Sequence, residues 1–416
     1  MTQPLKAVRV SEHVYWVGAI DWAIRDFHGY STEQGTTYNA YLILGDKVTL
    51  VDTVKPAFVD ELMSRISSVI EPSRIDYIIS NHSEMDHSGS LPAVVDRVRP
   101  ERVFASPMGV KALADHFQLN APVASVKDGE SMSLGNLSVG FTETRMVHWP
   151  DSMFSFLLDD GVLFSNDAFG MHLATSQRFD DEVSGWEYQA AKYYANILMP
   201  LSLVIAKTLA KVEALKLPIK VIAPDHGFIW RKDLETIVSL YSRWSAQKRN
   251  TSAVVAYDTM WGSTATMATA ISEGLSSEGV RNKLMPLKGC NRSEVITELL
   301  EAGAVVVGAP TMNNNIFPPM ADLLTYLKGL KPRNLIGAAF GSYGWSGEAV
   351  GQIREYLSAA GVEMPLEGLK VKFVPREQDL ADCFQMGSSL ARILKEAAAI
   401  DLSAPAATTR EAPIPR

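Results

Sequence analysis

Cysteine is scarce: among 416 residues only Cys290 and Cys383 occur. Two thiols are too few for a disulfide framework, a four-thiolate iron centre or a zinc ribbon, and the scarcity fits a cytoplasmic setting. Basic charge is in deficit as well, with 39 Lys and Arg against 47 Asp and Glu. No cationic surplus is left to neutralise a phosphate backbone, which argues against nucleic acid as a partner. Long hydrophobic runs are also missing. Residues 1–8 lack the apolar core of a signal peptide, and no stretch approaches the roughly 20 apolar residues of a membrane helix, so no membrane partner is expected. Neither G-x-G-x-x-G nor G-x-x-x-x-G-K-[ST] is present, which disfavours a dinucleotide or a nucleoside triphosphate as ligand.

A chain of 416 residues with 47% hydrophobic content is long and apolar enough for two cored domains. Strand-like runs at 41–44, 48–51, 75–80, 102–105, 137–142, 153–158 and 162–165 predict a mixed α/β sandwich in the first half, with few helices between them. Asp160-Gly161, between the last two runs, reads as a type I′ hairpin turn. A polar stretch at 243–252 breaks this pattern. Beyond it, strands at 253–257, 283–287, 304–308, 335–340 and 371–374 alternate with amphipathic segments at 264–275, 293–302, 320–327, 348–360 and 378–397. Five βα repeats imply a doubly wound parallel five-stranded sheet. The expected domains are therefore residues 1–250 and 251–399, followed by a disordered, Ala-, Pro- and Thr-rich tail at 400–416.

The chemistry concentrates after the run at 75–80, where His82, Glu84, Asp86 and His87 follow one another within six positions. If that loop is extended, His82, Glu84 and Asp86 at steps of two point one way and His87 swings to a second ion. His148, Asp167 and His226 each follow an apolar run and would emerge at a strand end. Singly, each is an ordinary core or cap residue. Together with the first four they make four imidazoles and three carboxylates, a set that suits two ions bridged by Asp167. His13 and His116 stand in segments without such features and read as surface residues.

This pattern resembles the diiron form of the metallo-β-lactamase fold. Hydrolases of that fold carry His where Glu84 stands, and a hard carboxylate there moves the set from zinc towards iron. With the second domain, and with the segments 26–30, 35–41 and 148–153, the chain is similar to the flavodiiron proteins over nearly its whole length. The resemblance implies an N-terminal metallo-β-lactamase-like αββα sandwich followed by a flavodoxin-like domain. It implies one iron on His82, Glu84 and His148, the other on Asp86, His87 and His226, and a bridging Asp167. His28, His172 and Tyr194 fall in segments that in this family lie behind the metal ligands, so they either line a gas pocket and supply protons or are structural.

In the second domain, Thr259, Met260, Trp261, Gly262, Ser263 and Thr264 lie between a strand and a helix. Helix-terminal amides and three hydroxyls there can hold a phosphate dianion without a lysine, which points to a mononucleotide. Two further strand-end loops, Pro310, Thr311, Met312, Asn313 and Asn314, then Ser342, Tyr343, Gly344 and Trp345, offer amides and aromatic faces for a flat ring with polar edges. The three loops look like those of flavodoxin with bound FMN. The implied function is reduction of dioxygen to water, of nitric oxide to nitrous oxide, or both, at a diiron site fed by FMN. The resemblance adds a rubredoxin-like electron donor, with a deazaflavin as the other choice, and a head-to-tail homodimer or dimer of dimers. The competing expectation is a dizinc hydrolase with an accessory flavodoxin domain.

Overall fold

The computed structural model describes residues 5–403. The chain divides between Ala246 and Gln247 into two compact units. In the first, strands Val8–Arg9, Val14–Trp16, Tyr41–Ile43, Thr49–Val51, Tyr77–Ser80, Arg102–Ala105 and Val123–Ser125 lie side by side in that order. A second sheet runs Ser131–Ser133, Ser138–Glu143, Met153–Leu157, Val162–Phe164 and Val221–Ala223. Strand alternation builds the core on both sides of the first sheet. Tyr41 and Ile43 join Val139, Leu157 and Phe164 of the second sheet in one cluster, while Leu42 turns the other way to Leu62, Ile66 and Val94 of the covering helices.

Helices are more numerous in this half than expected, at Val59–Ser67, Leu91–Val98, Pro107–His116, Ser202–Ala214 and Leu234–Ala246. Each buries only a short apolar stripe, such as Leu62 and Ile66 or Leu91, Val94, Val95 and Val98, so its periodic signal in the sequence is brief. Against the expectation of no membrane-length segment, the continuous helical run Glu187–Ala214 is long and apolar enough to cross a membrane by length and composition. It also serves as a core element: Lys192 within it is buried and ion-paired to Glu33 at 2.6 Å, and Tyr193 is 1% exposed.

The Asp160-Gly161 turn takes another form. Four residues separate Met153–Leu157 from Val162–Phe164, and of the pair only Gly161 has positive φ, at 71°, so the connection is not type I′. Asp160 instead accepts hydrogen bonds from the His13 amide at 2.8 Å and from Ser11 Oγ, and it meets His13 Nδ1 at 2.8 Å. Although partial burial opposes ionisation, these donors hold its carboxyl below the usual range. His13, expected as a plain surface residue, thus ties the N-terminal strands to this turn.

The second unit carries five parallel strands in the order Arg281–Pro286, Ser252–Tyr257, Ala304–Gly308, Ile336–Tyr343 and Leu369–Lys372. Helices Ser263–Ser277, Arg292–Leu299, Pro318–Leu330, Glu348–Ala359 and Glu377–Ser403 alternate with them. In chain order the strands read 2-1-3-4-5, the doubly wound order whose switch point receives mononucleotides. The last helix covers the first four residues of the expected tail, and 404–416 lie outside the described residues.

Candidate metal centre and flavin loops

Four connections that leave strand ends meet at one place. His82 and Glu84 follow Tyr77–Ser80, His148 follows Ser138–Glu143, Asp167 follows Val162–Phe164, and His226 follows Val221–Ala223. The alternation expected of an extended loop stops after Glu84, because a helical turn, Met85–Ser88, begins there. Asp86 therefore turns away from His82 and Glu84 and joins His87. Two groups of ligand atoms result, each within 4.8 Å: His82, Glu84, His148 and Asp167, and then Asp86, His87 and His226. Asp167 faces both. Its Oδ2 lies 3.4 Å from His82 Nε2 and 3.3 Å from His148 Nε2, and its Oδ1 lies 3.3 Å from His87 Nε2 and 3.4 Å from His226 Nε2.

Three of the four imidazoles have a polar group behind them. His82 Nδ1 meets Asp151 Oδ2 at 3.2 Å, His87 Nδ1 lies 3.6 Å from Asp225 Oδ2, and His226 Nδ1 lies 2.6 Å from the Thr37 carbonyl. Each contact leaves Nε2 aimed at the centre, the usual arrangement for a histidine that ligates a metal. Tyr193 donates its hydroxyl to Asp167 Oδ1 at 2.8 Å. Burial lowers the His82 pKa, but Asp151 and Glu84 outweigh it and raise the imidazole to about 10. Burial likewise opposes ionisation of Asp167, yet His87 and His148 hold its carboxyl well below the ordinary range. Asp151, pressed upward by burial and downward by His82 and Ser83, settles at about 2.

The donor set also fits a metal on a second count. Among the described residues, both oxygens of Asp86, His87 Nε2 and Asp167 Oδ2 are buried at the centre without a hydrogen-bond partner. Buried carboxylates and imidazoles left this way are costly unless a cation takes them up. Glu84 supplies an oxygen where a third imidazole in its group would suit zinc, and its Oε2 sits 3.1 Å from His148 Nε2.

The other candidates scatter. His172 is buried beside His226, with ring centroids 4.5 Å apart, and its Nδ1 meets Thr36 Oγ1 at 2.6 Å. Phe27, Tyr30 and Tyr193 surround it. Burial, then the neighbouring His226, push its pKa well down, so it is neutral at pH 7. His28 is exposed and places Nε2 3.1 Å from Glu84 Oε1. Tyr194 is buried with its hydroxyl 3.1 Å from Ser202 Oγ, so the adjacent Tyr193, not Tyr194, reaches the metal ligands. Sequence reasoning passed over Tyr193, Asp151, Asp225 and Thr37. The adjacency of Asp225 to His226 was one hint, and the segments 35–41 and 148–153 that carried the family resemblance contain Thr37 and Asp151.

In the second unit, Gly262 has φ of 92° and caps the helix Ser263–Ser277 without a side-chain hydrogen bond, which leaves the first-turn amides to an anion. The loop is preset. The Gly262 amide donates to Thr259 Oγ1 at 3.1 Å, and Thr264 Oγ1 lies 2.9 Å from Ser342 Oγ, which joins the first loop to the third. Asn313 and Asn314, at φ of 51° and 59°, form a two-residue hairpin turn between Thr311–Met312 and Asn315–Ile316. Trp261 and Trp345 are 94% and 83% exposed, an unusual cost for two indoles unless a flat apolar ring lies against them. These features fit a flavin mononucleotide.

A carboxylate-rich dinuclear centre and a mononucleotide loop in one chain define a two-domain metalloflavoprotein. Residues 36–227 match the ODP family of β-lactamase-like domains and residues 255–387 match flavodoxin. The chain is 46% identical to a nitric oxide reductase of Moorella thermoacetica over 94% of its length and 99% of the relative's. It is 44% identical to a rubredoxin-oxygen oxidoreductase of Megalodesulfovibrio gigas over 94% and 99%. Among solved structures, the flavodiiron protein of Giardia intestinalis superposes with a TM-score of 0.91 at 32% identity, covering 95% of this chain and 98% of that one. The chain belongs to the flavodiiron protein family.

Proposed function

We propose that the protein reduces dioxygen to water, nitric oxide to nitrous oxide, or both, with two irons and one FMN. The observation that carries this reading is Asp167, which turns one oxygen to each of two buried ligand groups. His82, Glu84 and His148 hold one ion, Asp86, His87 and His226 the other, and Asp167 bridges. When bound, a ferrous pair supplies two electrons and reduced FMN two more, enough for the four-electron reduction of dioxygen or the two-electron reduction of a nitric oxide pair.

The chain's own residues do the rest. Three carboxylates offset most of the charge of two divalent ions, which keeps both in a nearly dry site. Phe27, Tyr30 and His172 exclude bulk water beside His226, and neutral His172 and the Tyr193 hydroxyl are the groups placed to hold or pass protons. The loops at 259–264, 310–314 and 342–345 hold the flavin phosphate and ring. A rubredoxin-like protein is the proposed donor, since two cysteines cannot form an internal rubredoxin centre. The proposed setting is the cytoplasm, and the proposed assembly is a head-to-tail homodimer or a dimer of such dimers.

Elemental analysis of anaerobically prepared protein tests this composition. It should find two irons and one FMN per chain, with zinc far below iron. Two zinc ions per chain, with hydrolytic activity and no gas reduction, would replace the proposal with the dizinc hydrolase.

A further inference from the structure

The turn Pro224–Gly227 carries His226, and several of its polar atoms are bonded to one segment far away in sequence. The Gly227 amide donates to Thr37 Oγ1 at 2.7 Å, and the same hydroxyl donates to the Gly227 carbonyl at 3.2 Å. His226 Nδ1 meets the Thr37 carbonyl at 2.6 Å. Asn39 gives its side-chain amide to the carbonyls of Pro224 at 2.7 Å and Gly227 at 3.0 Å, and its backbone amide to the carbonyl of Asp225 at 2.7 Å. The Tyr41 hydroxyl donates to the Pro224 carbonyl at 2.6 Å. Asn39 is itself fixed by Trp16, whose indole N–H donates to Asn39 Oδ1 at 2.8 Å.

Thr37, Asn39 and Tyr41 are each 0% exposed, so water does not compete for these bonds. A carbonyl accepts only, so Nδ1 donates to it and Nε2 is left as the ring nitrogen that faces Asp86 and Asp167, at 3.2 and 3.4 Å. The other ligand group has a separate support: Asp151, held by the Ser83 amide and hydroxyl at 2.7 Å each, backs His82.

We propose that Thr37 and Asn39 are positioning residues for one ion of the pair, the one on Asp86, His87 and His226. They act through the turn, which they hold in register so that His226 Nε2 stays on its ion, and they touch neither metal nor substrate. The inference rests on the two-metal reading above.

The test uses the full chain carrying Thr37→Val, which keeps the side-chain shape but removes the hydroxyl, beside Thr37→Ser, which restores it. Ferrous iron bound per chain is measured anaerobically at equilibrium against a ferrous chelator, with flavin content and melting temperature followed in parallel. In Thr37→Val one iron should bind about 10- to 100-fold more weakly while the other keeps its affinity, as for lost outer contacts in other metal sites. Thr37→Ser should behave as the parent protein does, and FMN should be unchanged in both. Two irons at parental affinity in Thr37→Val would overturn the proposal. Equal weakening of both ions with a lowered melting temperature would also overturn it, by making Thr37 a structural residue only. A parent chain that binds fewer than two irons would sink the two-metal reading and this inference with it.

Discussion

An Asp167→Ala variant will lose at least one of its two metal ions and keep its FMN. The carboxylate meets four imidazoles, with Oδ2 toward His82 and His148 and Oδ1 toward His87 and His226. Without it, two divalent ions would face each other across a low-dielectric gap with no anion between them, and Tyr193 would lose the acceptor of its hydroxyl. Replacing a residue that only supports a ligand costs metal sites about 10- to 100-fold, so removing a shared ligand should cut turnover by about 100-fold or more. The flavin loops belong to the other unit, which has its own core of Val255, Val306, Ala338 and Leu390, so FMN binding should be untouched. Iron and flavin analysis of the purified variant, with gas consumption, checks this. Two irons and parental turnover would remove Asp167 from the role of bridge.

The second large effect concerns assembly. In the proposed head-to-tail dimer the FMN of one subunit would feed the irons of the other, and electron transfer falls steeply with distance. Co-expression of two dead chains should therefore restore activity. One would carry His82→Ala and His148→Ala. The other would carry Gly262→Val, which puts a β-branched residue at φ of 92° where the helix meets the phosphate loop. Each parent is expected to be nearly inactive, and hybrid dimers to recover turnover because one of their two pairings joins an intact FMN to an intact iron site. If transfer stays within a chain, every hybrid remains dead and the head-to-tail proposal fails.

The ligand cluster was legible because polar residues crowded behind a buried strand have no packing reason to be there. Its partition between two groups was not legible from spacing, since it depends on a helical turn that begins at Met85. Tyr193 and Tyr194 are adjacent in a helical run that passes from an α-helix into a wider turn, and only coordinates tell which hydroxyl points to Asp167 and which to Ser202. Turn chemistry misled at Asp160-Gly161, where the connection was longer and the Asp side chain was recruited to His13. It was missed at Asn313-Asn314, where both residues have the positive φ of a type I′ turn. The three central strands of the second unit stood out because buried parallel strands read as continuous apolar runs, whereas the edge strands Arg281–Pro286 and Leu369–Lys372 are largely exposed and gave a weaker signal. Thr37 and Asn39 lay in the segment 35–41 that carried the resemblance, but a buried polar residue that bonds a distant turn looks in sequence like any other, so their link to His226 was not legible.

If a gas is reduced at a metal pair that flavin refills, the flavin must lose its electrons when the gas arrives. Anaerobic stopped-flow tests it most directly: fully reduced protein is mixed with dissolved dioxygen or, separately, nitric oxide, and flavin absorbance is followed. The flavin should reoxidise rapidly with at least one gas, and that phase should be lost in the His82→Ala, His148→Ala chain. Reoxidation by neither gas faster than in that metal-deficient chain would contradict it.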